Sequence, residues 1–210
     1  MPLCFALVIR ILPRPRQNWG TMMWVLILGL VVFFGVHSLR MIAGSFREAQ
    51  LAANERRWKG IYSLLSLIGF ALIIWGWIAF RGDAPQVYDP PSWGRHLAMA
   101  LVWMAFVLLA AYSLPAGRIK HWVKHPMVLG VALWAAGHLL ANGDLASLLL
   151  FGAFFVYAIV NRLAVISRGD PAPAALRPRS DLVAVLAGTA LYAVFVLWLH
   201  QWLFGVDPLA

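Results

Sequence analysis

The chain is short of charge, short of acids and nearly without cysteine, and each shortage removes a class of function. Only 12% of its 210 residues are charged, and Asp and Glu together number eight. Hydrolysis by paired carboxylates needs two acids converging on one bond. Here only Asp144 lies close to an apolar stretch or its turn, so that chemistry is not expected. The single cysteine, Cys4, excludes an intrachain disulfide, and there is no CxxC or CxxCH attachment motif. A P-loop, GxGxxG, GxSxG and HExxH are all missing as well, which removes nucleotide, dinucleotide, serine-hydrolase and zinc-protease readings. Polar stretches are scarce too: the longest connectors, 44–59, 81–95 and 162–181, leave no room for a soluble domain.

Apolar length is what the chain has in abundance. Hydrophobic residues make up 62% of it and the mean hydropathy is +0.79, well above a water-soluble domain of this size. Runs near the length that crosses a bilayer occur at about 23–43, 60–80, 96–114, 126–142, 145–161 and 182–204. They predict an all-α polytopic membrane protein, a bundle of about six transmembrane helices in a lipid bilayer. The turn Asn142-Gly143-Asp144 is so short that the fourth and fifth helices should form an antiparallel hairpin. The chain divides into an N-terminal extension (1–21), a five-helix membrane domain (22–165), a basic Pro-rich linker (166–181) and a sixth helix with its tail (182–210).

A net charge of +9 invites a nucleic-acid reading. The positive residues are instead sorted by loop, as orientation in a membrane requires. Arg40, Arg47, Arg56, Arg57 and Lys59 follow the first span, Arg118, Lys120 and Lys124 the third, and Arg162, Arg168, Arg177 and Arg179 the fifth. Those loops are expected in the cytoplasm, with both termini on the periplasmic side of a bacterial inner membrane and no nucleic-acid partner. Arg10, Arg14 and Arg16 offend that rule, which points to Met22 or Met23 as the natural start.

Two ionisable groups lie inside the apolar spans, His37 and His138. An ionisable group at membrane depth is costly and marks a site, and imidazoles on two membrane helices are one way to ligate a haem iron. The other reading, an imidazole hydrogen-bonded across helices, stands at about even odds with metal ligation on the residues alone. On the first span Leu30, Phe33, Phe34, His37, Arg40 and Met41 share a face. On the fourth, Val131, Trp134, Ala135, His138 and Asn142 do. Arg40 suits a propionate or simply anchors the helix. Asn142 suits the other ring N–H of His138 or simply the turn. Trp134 is either cofactor wall or core, and Ala135 either clearance for a ring or packing, the latter favoured.

The segments MMWVLILGLVVFFGVHSLR, RRWKGIYSLLSLIGFALIIWGW, PPSWGRHLAMAL and HPMVLGVALWAAGHLLANGDLASLLLFGAFF together resemble the NnrU family over about residues 22–165. That resemblance implies a bacterial integral membrane protein associated with denitrification and linked to nitrite and nitric oxide reductase activity. The same pattern is similar to zeta-carotene isomerase, a haem b membrane enzyme that turns a cis carotenoid double bond trans. The likeness there rests on His37-Ser38, His125-Pro126, Leu133-Trp134 and His138. It implies His37 and His138 as the haem ligands. Ala135 stands where the isomerase has the cysteine of its redox-linked ligand exchange, which departs from that mechanism and not from bis-histidine haem binding.

With the first helix running inward and the fourth outward, His37 and His138 should differ in depth by about 10 Å. That offset keeps His96, near the outer start of the third helix, and His125, at the first turn of the fourth, as alternates. His121 and His200 read as peripheral. The expected function is therefore a haem b protein with a redox or NO-related role, His37 and His138 on the metal, and Arg40, Trp134 and Asn142 around the cofactor. A haem-dependent isomerase acting on a hydrophobic polyene is the competing enzyme. A cofactor-free assembly factor docking a reductase partner through Trp58, Lys59 and the basic first loop is the non-enzymatic alternative.

Overall fold

The structure, a computed structural model, describes residues 19–169 and 176–209. Five helices are long and apolar enough to cross a membrane: α1 (Trp19–Ile42), α2 (Gly44–Phe80), α3 (Gly94–Ser113), α6 (Leu145–Ser167) and the C-terminal helix Pro178–Phe204. Between α3 and α6 come a short helix, α4 (Arg118–Val123), and the apolar 16-residue α5 (Pro126–Ala141). The C-terminal helix is built of α7 (Pro178–Val194), a π turn (Phe195–Leu199) and α8 (His200–Phe204). All of the expected spans are present, and the chain is a polytopic all-α membrane protein.

The stretch 44–59, expected as a connector, is instead helical and runs into the second span. A break at Asn54 (φ −161°, ψ 94°) separates the two parts. The Asn54 side chain accepts a hydrogen bond from the Arg57 amide at 2.9 Å, so it caps the membrane helix as an N-cap asparagine does. The N-terminal extension to residue 18, with Cys4, Arg10, Arg14 and Arg16, and linker residues 170–175 lie outside the described residues, so the expected start at Met22 or Met23 is not addressed. Helix α1 begins ahead of both methionines, at Trp19.

Lipid tails are as apolar as leucine, so membrane helices associate by close packing, and small residues decide where they meet. Helices α1 and α2 run antiparallel with glycines at the crossing. A Cβ on Gly69 would come within 2.7 Å of the Phe33 amide nitrogen, and one on Gly29 within 2.6 Å of that of Ile73. In the same way α7 closes on α3, where a Cβ on Gly188 would lie 2.6 Å from Val107 Cα. Helix α6 packs on α1 and α5, and α3 joins α5 to α7. The interior they enclose holds Leu26, Ile73, Phe80, Ala135, Ala146 and Phe151.

The two ends of the bundle differ in charge. The basic residues gather where α1, α3 and α6 finish. At the opposite end the 81–93 connector lies over the α5–α6 turn, tied by Val87 N–H to the Gly143 carbonyl and Leu145 N–H to the Pro85 carbonyl, both 2.9 Å. Gly143 is buried beneath the Tyr88 carbonyl, and a Cβ there would collide with it. Asp144 caps α6 by accepting from the Ser147 amide at 2.9 Å. The acid nearest a span core is thereby a cap, in keeping with the absence of carboxylate chemistry.

Candidate functional site

His138 sits near the end of α5 at the charge-poor side. Its Nδ1 lies 2.8 Å from the Trp134 carbonyl. A carbonyl only accepts, so Nδ1 carries the proton and donates, and Nε2 keeps its lone pair. The ring stacks on Phe151 of α6, centroids 4.4 Å apart and planes at 23°. Trp134 lies edge-on to the same phenylalanine at 5.0 Å. Ala135 is fully buried, as packing requires.

Asn142 does not take the ring N–H it was matched with. Its Nδ2 donates to the His138 carbonyl at 2.8 Å, because the i−4 carbonyl at a helix end is an unsatisfied acceptor and the imidazole proton is already committed to Trp134. Trp134 thus contributes its backbone to the histidine and its indole to the core.

His37 repeats the same local device at the other end. Its Nδ1 donates to the Phe33 carbonyl at 2.6 Å, and the ring stacks on Phe33 at 4.1 Å. Its neighbours are polar, however. Tyr157 Oη donates to the His37 carbonyl at 3.2 Å, Asn161 Nδ2 donates to that same hydroxyl at 3.1 Å, and the Tyr62 ring lies 5.4 Å away. Arg40, one turn on, is exposed.

The structure does not bring these two imidazoles together. His37 is in register with Tyr157 on α6 and His138 with Phe151, six residues apart, which is about 9 Å of helix. Phe33 meets Phe154 at 5.8 Å and Phe154 meets Trp134 at 5.5 Å, so aromatic rings occupy the way between them. Two nitrogens on one metal, each at about 2 Å, would have to come within about 4 Å of one another. Of the alternates, His96 is exposed on the first turn of α3, and His125 is the residue before α5, as its proline suggested.

Sequence reasoning missed His200. It was set aside as peripheral, and the structure places it close enough to His138 for their charges to interact. Its Nδ1 donates to the Val206 carbonyl at 2.8 Å, which again leaves Nε2 with the lone pair. Around it, Phe204 lies at 5.2 Å and Trp77 of α2 meets Phe204 at 6.0 Å. Arg81 donates to the Phe204 carbonyl at 2.5 Å and holds its guanidinium 4.6 Å over the Trp77 ring. The Trp77 indole N–H is buried with no hydrogen-bond partner. The one sequence signal was Arg81, a cation on the end where positive charge is scarce.

Among the described residues no three His, Cys, Asp or Glu side chains converge, so the protein alone offers no bare ion a full ligand set. A porphyrin, which brings four nitrogens of its own, needs only one or two imidazoles. The charge-poor end fits such a group on three counts: a buried imidazole with its Nε2 available, a neighbouring indole N–H lacking an acceptor, and a guanidinium beside it for a carboxylate.

These features belong to an integral membrane protein with a histidine-lined aromatic interior. The NnrU protein family model matches residues 25–208, and the chain belongs to that family. The match runs beyond the segments that first suggested it and takes in the sixth helix with His200. No curated protein and no solved structure matches the chain.

Proposed function

We propose that this NnrU family member binds haem b through His138 in the bacterial inner membrane, its basic end in the cytoplasm, and serves nitrite and nitric oxide reduction in a redox or NO-related role. The observation that carries this reading is the state of His138: a membrane-embedded imidazole whose proton is held by Trp134 and whose Nε2 is left as a donor atom. When bound, haem supplies one-electron redox chemistry and, if a coordination position opens, a place for NO. The chain supplies orientation. The Trp134 carbonyl fixes the tautomer, Phe151 fixes the ring plane, and Asn142 ties down the His138 backbone. Trp77 Nε1–H and Arg81 are donors suited to a propionate.

The isomerase reading is disfavoured by Ala135, which is fully buried and offers no thiol for ligand exchange. The assembly-factor reading would use Trp58 and Lys59. Trp58 packs edge-to-face on Phe46 at 5.8 Å and Lys59 pairs with Glu55 at 2.6 Å, so both are engaged within their own helix. The test is a reduced-minus-oxidised spectrum of the protein purified from haem-supplied cells, with and without NO. A Soret band with reducible α-band is expected, and a flat spectrum would turn the reading to the assembly factor.

A further inference from the structure

His37 is the partner that sequence spacing assigns to His138, and the fold points elsewhere. His138 lies three residues before the end of α5, and His200 four residues before the end of α8, at the same charge-poor end of the bundle. At about 1.5 Å per residue their depths below those ends differ by only about 2 Å. Both present Nε2 with Nδ1 satisfied by a backbone carbonyl.

His200 is brought there by an unusual piece of backbone. Helix α7 runs up α3, burying Ala184 and Gly188 and then laying Tyr192 and Phe195 against Phe106 at 6.0 and 5.6 Å. The π turn follows at Phe195–Leu199 and ends on the residue before His200. One wide turn shifts the phase of every side chain after it, and such turns recur at functional sites. Beyond it the helix end crosses to α2, where Arg81 holds the Phe204 carbonyl and Trp77 meets the Phe204 ring. Trp77 in turn packs against the core that contains Phe151, on which His138 is stacked. His200 and His138 therefore flank one enclosed region lined by aromatic rings, with the unsatisfied Trp77 N–H at its edge.

We infer that His200 is the second axial imidazole of the His138 site, so that the haem iron is held between α5 and the C-terminal helix. This rests on the haem reading above. His37, in its hydroxyl-rich surroundings, then serves as a hydrogen-bonded structural histidine at the basic end.

The experiment is the optical and electron paramagnetic resonance spectrum of haem-loaded wild type, His200→Ala, His200→Met and His37→Ala, all purified intact in detergent. Wild type is expected to be six-coordinate and low-spin. His200→Ala should lose the low-spin signal, become high-spin, and regain it on addition of imidazole. His200→Met, which keeps an iron-binding side chain should the alanine variant misfold, should stay low-spin with a higher reduction potential. His37→Ala should match wild type. A low-spin spectrum surviving in His200→Ala, or lost in His37→Ala, would overturn the pairing and leave haem binding standing. A wild-type chain without a Soret band would overturn the haem reading itself, and the pairing with it.

Discussion

His37 and His138 hold their protons in the same way and keep different company. Each donates Nδ1–H to the carbonyl one turn back, and each stacks on a phenylalanine. Around His37 stand Tyr62, Tyr157 and Asn161, next to the loops that carry the basic residues. Around His138 stand Phe151 and Trp134, with His200 within electrostatic reach. A histidine within a hydrogen-bonded network of hydroxyls is explained by that network. One set among aromatic rings with an idle lone pair is not, and it is there that the chemistry is placed.

The largest effect should come from the His138 end. His138→Ala is expected to abolish haem retention, whereas His37→Ala should leave haem content as in wild type. Equal losses in both variants would erase the distinction between the two ends.

Next in size is the seating of the C-terminal helix. Gly188→Leu would drive a side chain into the Val107 backbone, and overpacking of this kind costs roughly 1–3 kcal/mol. Thermal unfolding in detergent should fall accordingly, and the low-spin signal should weaken before secondary structure is lost. Gly188→Leu with unchanged spin state would show that His200 does not depend on this contact. Smaller still, Tyr157→Phe removes the donor to the His37 carbonyl. A net loss of about 1 kcal/mol is expected, read as a lower melting temperature with the haem spectrum untouched.

The smallest effect concerns the connector over the α5–α6 turn. Tyr88 Oη donates to the Asn142 carbonyl at 3.0 Å. Burial first, and then the negative charge of Asp144, raises its phenol above the ordinary value of 10.0. The sign follows directly. Below that value the proton is held in both folded and unfolded chains, so pH has no leverage. Above it the unfolded chain ionises first, and stability falls as pH rises through the folded value. Wild type should therefore lose stability above about pH 10 more steeply than Tyr88→Phe, measured by thermal melts across the alkaline range. Parallel curves would remove Tyr88 from this role.

The spans were legible because hydropathy and turn residues are local signals: the Asn142-Gly143-Asp144 turn does join α5 to α6, and Pro126 does open α5. The helical 44–59 stretch was not, since its polar composition reads as loop and only the Asn54 cap reveals two helices in sequence. His138 was legible as an ionisable group at membrane depth. His200 was not, because its place depends on a π turn that no residue pattern announces and on a contact with Arg81, 119 residues before it, that only the closed bundle creates. The depth offset between His37 and His138, about 10 Å from helix geometry, agrees with the register on α6. Sequence thus located the difficulty in the His37–His138 pairing without supplying the residue that relieves it.

The most direct measurement is haem stoichiometry: haem b per chain, by pyridine haemochrome and protein assay, for wild type and His138→Ala purified side by side in the same detergent. About one haem per wild-type chain and almost none in the variant is the expected result. Equal haem in both, or none in either, would contradict His138 as the anchor of the site.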